Sequence, residues 1–361
     1  MPPPHHRNSF LAICTLRRRP TPRFVVPRAF LLDSIFVVAA NNNNNMFVST
    51  QQEAAIKRNP HPDFKKVEAS RPDWDKESQL RYTKTAAPDW RVGSGANSQR
   101  AAEADEKKHV CIDPYEAGRP LTFNYKLLIS GIVPRPVGFV SSQAADGSAR
   151  NLAPFSYFNV VSNDPPLFAL GVAATLAAPK DTLRNILDSR ECVVSIIGED
   201  FLEAANATSV DAPYGTSEWD VSGLTPAHDT RDVKAPRVRE AVFSVECKLE
   251  SVREFESRAT PGKKTGCLVL LEGTRFWVRE DALNEERSLI DPAVLMPVSR
   301  LGGITYARVK EAVEIERPRF REDFGGAEGL EKLKGKGKGK GKGKGKGKGE
   351  GEGEGEEDKS T

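Results

Sequence analysis

From Cys111 onward, short apolar runs follow one another at close intervals, and their rhythm predicts strands more often than helices. Tyr125–Ile132 reads as a short apolar turn or helix. Val137–Gln143, rich in Val, Phe and Ser, reads as a strand, and Asn151–Ser162 as a second. Asp146-Gly147 lies between them and predicts a hairpin, because Asp and Gly accept the positive φ of a tight turn. Leu167–Ala173 is an unbroken apolar run of strand length behind Asp164-Pro165-Pro166, which cannot join a ladder. Asp181–Arg190 sets Leu183, Ile186 and Leu187 at helical spacing, with Asp181 able to cap. Glu191–Gly198 is a further strand, Asp200–Thr208 a second helix and Asp211–Val233 a loop. Two long strands follow, Ala241–Phe255 and Cys267–Arg279, joined by the turn Pro261–Gly266, with a last strand near Tyr306–Ile315. Mostly consecutive strands with two short helices predict an antiparallel barrel rather than a doubly wound sheet.

Composition marks off the ends of this pattern. Residues 1–45 form a disordered or targeting-like N-terminus with six Arg and one Asp. It reads either as a mitochondrial presequence or as translated sequence upstream of a start at Met46. Residues 46–110 are a polar arm in which Pro-Asp-Trp occurs twice, at Pro72–Trp74 and Pro88–Trp90. Indole is costly to leave in water, so both tryptophans are expected to anchor the arm on the globular domain, residues 111–320. Residues 321–361 end in Gly-Lys and then Gly-Glu repeats, a composition that buries nothing and predicts disorder. The basic ends account for a net charge of +3 and leave the middle mildly acidic, which argues against nucleic-acid binding. No stretch is apolar enough to span a membrane.

Five cysteines are widely spaced without C-x-x-C, and Cys192, Cys247 and Cys267 sit in apolar runs. That is the usage of a reducing compartment, here the cytoplasm, or mitochondria if residues 1–45 are a presequence. The five histidines show no metal-binding spacing. G-x-G-x-x-G after a strand is also absent, so no separate dinucleotide domain is predicted.

The second strand is unusually polar for its aromatic content: Asn151, Ser156, Asn159 and Ser162 stand among Phe155, Tyr157 and Phe158. Such a mixture suits a planar ligand with many acceptors, or a buried strand whose short side chains bond to loops. Alternation would put Ser156 and Phe158 on one face, Phe155 and Tyr157 on the other. Downstream, Pro179-Lys180-Asp181-Thr182 offers free N–H groups at a helix start, a cation and a hydroxyl, with Asn185 one turn on. Those are the parts of a phosphate anchor or of a plain helix cap.

PRPVGFVSS, a D-G turn, RNLAPFSYFN, DPP, PKDTLRN and a later RLGG with a Tyr occur in that order between Tyr125 and Ile315. Together they resemble the flavin reductase-like family of FMN-binding split barrels. The resemblance implies a mainly β fold, a six-stranded antiparallel split barrel with short flanking helices, usually a homodimer with flavin near the subunit interface. It implies FMN contacts at Ser141, Asn151, Ala153, Ser156, Lys180, Asp181, Thr182 and Asn185, with Arg135 and Arg300 as further contacts. It further implies an NAD(P)H-dependent flavin reductase taking electrons from NADH or NADPH, with a possible partner oxygenase. The alternative is an FMN-binding electron carrier without nicotinamide activity. Relatives often carry an Arg shortly before the KDT motif. Here Ala173–Ala178 is uncharged, so another Arg substitutes or FMN is held less tightly.

Overall fold

The structure, a computed structural model, describes residue 56, residues 58–97 and residues 107–339, with side chains to residue 334. The expectations for residues 1–45 and for the end of the tail lie outside the described residues. Seven strands form the main sheet: β1 (Gly138–Gln143), β2 (Arg150–Phe155), β3 (Phe158–Asn163), β4 (Pro166–Val172), β5 (Glu191–Ile196), β6 (Phe243–Glu256) and β7 (Lys264–Val278). Their order is β2-β1-β5-β6-β7-β4-β3, antiparallel throughout. The mainly β, antiparallel expectation therefore holds, with seven strands in place of six.

The extra strand comes from a break in Asn151–Ser162. The chain turns at Ser156-Tyr157, so β2 and β3 lie at opposite ends of the strand order. Two glycines accommodate the turn. A Cβ on Gly138 would stand 2.8 Å from the Phe158 ring, and one on Gly171 would stand 2.8 Å from Tyr157 Cβ. Gly171 N–H also donates to the Tyr157 carbonyl at 2.7 Å. The break cancels the expected alternation: Phe155 and Phe158 both pack on the same core, and Phe158 stacks on Phe168 with centroids 6.0 Å apart.

β1 is buried along its whole length because both faces of the sheet are covered. On one face Val140 joins Leu170, Val194, Val245 and Val269, sealed by Leu183 and Ile186 of α2 (Asp181–Ser189). On the other, Phe139 and Leu152 meet Phe201, Ala205 of α3 (Leu202–Ala207) and Trp219 of α4 (Glu218–Ser222). The N-cap of α2 is Lys180, which makes no side-chain cap bond; Asp181 is the first helical residue, not the cap.

The expected final strand, Tyr306–Ile315, is two short pieces outside the main sheet. Val298–Arg300 pairs with Tyr306–Arg308, and Glu311–Val313 pairs in parallel with Arg81–Thr83 of the arm. The arm is tied down further by Arg308, whose guanidinium lies 4.0 Å over the Trp74 ring and donates to the Asp75 carbonyl at 2.9 Å. Trp90 instead bonds within the arm, to the Gly95 carbonyl at 2.7 Å. Phe320–Phe324 and Gly326–Gly339 are helical where disorder is expected of the tail. Helix formers outnumber glycine from Ala327 to Lys334, and Lys334 pairs with Glu331 one turn back at 2.6 Å.

Gly138→Ala forces the Phe158 ring off the strand. It should destabilise the fold by about 1–3 kcal/mol, as overpacking does, read from urea unfolding midpoints.

Candidate functional site

The polar residues of β2 and α2 meet in one buried network. Thr182 Oγ1 donates to Asn151 Oδ1 at 2.5 Å. Asn151 Nδ2 donates to Glu218 Oε2 at 3.0 Å, and the Leu152 N–H reaches the same oxygen at 3.1 Å. One turn along α2, Asn185 donates to the Ala149 carbonyl and accepts from the Tyr214 hydroxyl at 3.1 Å. The Arg184 guanidinium lies 4.2 Å over the Tyr214 ring. Asn151, Thr182 and Asn185 are all buried, so this network locks the helix to the strand.

The sequence places Thr182 with its hydroxyl toward a ligand, but in the structure that proton points inward to Asn151. What α2 presents outward is the backbone. Its first-turn N–H groups have no intrahelical acceptor and no side-chain cap, and exposed Lys180 stands at the cap position.

Other candidates fall elsewhere. Ser141 is fully buried on the opposite face of β1 from Ser142, and its Oγ has no hydrogen-bond partner among the described residues. Ala153 is half-buried, paired with Val140, and Ser156 is half-buried at the corner after β2. Arg135 donates to the carbonyls of Ile129, Ile132 and Leu301 at 2.5, 2.7 and 2.9 Å. It thereby ties α1 (Leu121–Gly131) to the segment after Arg300. Arg300 donates to the Gly303 carbonyl at 3.0 Å and lies 4.2 Å over the Tyr306 ring. The uncharged stretch before α2 meets an acid instead of a cation: Leu176 N–H donates to Glu254 Oε1 at 2.7 Å.

Glu218, Tyr214, Arg184 and Ser142, whose Oγ accepts from Asn185 Nδ2 at 3.4 Å, are site-forming residues that the sequence reading misses. Two of them lie in Asp211–Val233, where polar residues without periodicity give no sign of a short helix. Burial pushes the Glu218 carboxyl above its usual range, against the pull of the Leu152 N–H. Burial also raises Asp181, with Arg184 and Lys180 opposing it. The Tyr157 phenol is raised by burial and by nearby Tyr125.

The flavin reductase like domain matches residues 130–297. YwrF of Bacillus subtilis is 36% identical over 194 residues, 54% of this chain and 93% of YwrF. The chain belongs to the flavin reductase-like family. Among solved structures, nitrilotriacetate monooxygenase component B from Bacillus cereus superposes with a TM-score of 0.53 at 35% identity, covering 58% of this chain and 100% of that one. The 2-nitrobenzoate 2-nitroreductase NbaA of Pseudomonas fluorescens gives 0.50 at 28% identity, over 59% and 98%. The residues present suit the phosphate end of a flavin in their donor set: uncapped N–H groups of α2 beside Lys180. Among the described residues, no helix is long and apolar enough to cross a membrane and no acidic, His or Cys group is placed to hold a metal.

Asn151→Ala removes a donor from the Glu218 carboxylate and the acceptor from Thr182. Apo stability should fall by about 3 kcal/mol near neutral pH, in urea titrations. Glu218 has a raised carboxyl pKa in the folded state, and losing a donor raises it further. The loss should therefore be full above the folded-state titration and shrink as the pH falls and Glu218 takes up a proton.

Proposed function

We propose that this chain binds FMN and works as an NAD(P)H-dependent oxidoreductase of the flavin reductase type. The observation that carries the reading is the junction of α2 with β2. There the uncapped helix start is bonded through Asn151 to the strand that ends at Phe155, one residue before Ser156. Five residues at the rise of a strand put Ser156 ~16 Å from Asn151, a span suited to an extended ribityl phosphate and its ring system. In this reading Lys180 and the N–H groups of Asp181, Thr182 and Leu183 hold the phosphate. Backbone groups from Ala153 to Ser156 serve the polar ring edge. Asn151 and Asn185 fix the platform, and Arg135, Arg300 and Ser141 complete the proposed flavin contacts.

A flavin held by these residues would supply the redox chemistry, with NADH or NADPH as the proposed electron donor. The chain's part is to bind, orient and expose one face. The similarity to a monooxygenase component B supports a partner oxygenase as recipient of the reduced flavin. Buried free Cys192, Cys247 and Cys267 support a reducing compartment, the cytoplasm or, with residues 1–45 as a presequence, mitochondria. A homodimer is part of the same proposal: β3 is an edge strand that exposes Val160 (60%) and Val161 (56%) next to Tyr157 (45%). An unpaired apolar edge of this kind is suited to a second copy.

One observation favours an electron carrier without nicotinamide activity. The arm precedes the family match, and its Arg58 lies 6.0 Å over the Tyr125 ring, within the electrostatic reach of Tyr157 at the corner. An arm seated there limits access to the ring end.

Anaerobic NADH or NADPH should bleach the oxidised flavin spectrum of the loaded protein; a spectrum unchanged by both defeats the reductase reading and leaves flavin binding standing. Deleting residues before Cys111 should raise the bleaching rate if the arm restricts access. Lys180→Ala should weaken FMN about tenfold or more in fluorescence titrations, the worth of one charge-assisted bond. Val160→Lys with Val161→Lys should shift sedimentation from dimer to monomer.

A further inference from the structure

Glu218 is only 4% exposed, yet no cation among the described residues pairs with it. Its oxygen Oε2 accepts from Asn151 Nδ2 and from the Leu152 N–H. An ionised carboxylate only accepts hydrogen bonds, so it dictates which end of the Asn151 amide faces it. The amide nitrogen must turn toward Glu218 and the amide oxygen toward Thr182. That oxygen in turn takes the Thr182 hydroxyl proton. The polarity of the chain from α4 to α2 is therefore set by the charge on one carboxyl.

We infer that Glu218 is a positioning residue whose protonation reverses this chain, freeing the Thr182 hydroxyl to donate to an anion at the start of α2. The inference rests on the flavin reading above. With a proton on Oε2, Glu218 donates to Asn151 Oδ1 and still accepts from Leu152. The amide turns over, Nδ2 donates to Thr182 Oγ1, and the Thr182 proton is released to the ligand side. One proton enters from solvent, and no covalent bond changes other than the O–H formed. A phosphate at the helix start favours the protonated state twice over. It gains a donor, and it is relieved of a nearby negative charge. Hydrogen bonds from the Leu152 N–H and the Asn151 amide favour ionisation of Glu218, and the charge around it opposes ionisation. Asp181 at the start of α2 is the charged group whose field acts on it, and it disfavours ionisation. Arg150 on β2, Glu203 on α3 and Asp220 on α4 are solvent-exposed. Burial already holds the Glu218 carboxyl above its ordinary range.

The test is FMN affinity of the full chain by fluorescence quenching across pH 5.5–8.5, for wild type and Glu218→Gln. Wild-type affinity should fall with rising pH more steeply than that of Glu218→Gln, the difference approaching about tenfold per pH unit for one linked proton. Ionisation of FMN itself is common to both proteins and cancels. Riboflavin, which lacks the phosphate, should show no such difference. Equal FMN slopes for the two proteins overturn the inference while leaving the flavin reading intact. Absence of FMN binding by wild type at every pH overturns both. If Glu218→Gln does not fold, calorimetry of wild type near pH 8 in two buffers of different ionisation enthalpy decides. The phosphate is then fully ionised, with its second pKa about 6. Proton uptake supports the inference and zero uptake overturns it.

Discussion

Gly138 and Gly171 leave the backbone of β1 and β4 bare where the rings of Phe158 and Tyr157 cross it. Without that close approach the chain could not leave β2 at Phe155 and enter β3 at Phe158. The corner sends consecutive segments to the two ends of the strand order. It also brings Phe155 and Phe158 onto one core and leaves Tyr157 half in solvent. The edge strand, its apolar surface and the proposed ring end of the site all follow from two missing methyl groups. A side chain on Gly138 would have to displace the Phe158 ring from the core, and one on Gly171 would collide with Tyr157 Cβ.

Buried carboxylates do the fastening elsewhere. Glu246, fully buried, accepts from the N–H groups of Arg231, Asp232 and Val233 and from the Trp277 indole at 2.6 Å. Glu191 accepts from the Lys234 N–H at 2.5 Å and pairs with Lys248 at 2.6 Å. Glu218 does the same for Leu152 and Asn151. Glu246 and Glu191 fasten the loop at residues 231–234 to the sheet by accepting its N–H groups, and Glu218 fastens α4 to β2. Glu218 differs from the other two because its chain of bonds continues to the start of α2. There a structural clamp and the proposed phosphate anchor share one hydrogen-bond path.

Family membership accounts for the sheet, α2 and the turn between β1 and β2. The arm is a separate matter, lying before the residues that match the family. It is held by a stacked Arg308, a carbonyl bond to Lys310 and a short parallel ladder. These contacts are half-buried or exposed, so their individual worth is modest and their effect comes from number. They fix the arm along the segment that follows Arg300, where Gly303 lies so close to the Arg58 carbonyl that a Cβ would stand 2.9 Å from it.

Local chemistry by itself determined most of the secondary structure. The Asp146-Gly147 turn, the apolar run of β4, the helical spacing of Leu183 and Ile186 and the two long strands are set within a few residues of themselves. The family resemblance is carried by the same short stretches. Tertiary structure decided what depends on contacts between distant residues. The break at Ser156-Tyr157 needs Gly138 and Gly171. Ser141 and Ser142 are neighbours in sequence, yet the sheet sends them to opposite faces. The inward turn of the Thr182 hydroxyl is set by Asn151, 31 residues away, and the orientation of Asn151 by Glu218, another 67 residues on. Periodicity and turn propensity report backbone geometry; the direction of a hydrogen bond depends on which partner the fold brings opposite it.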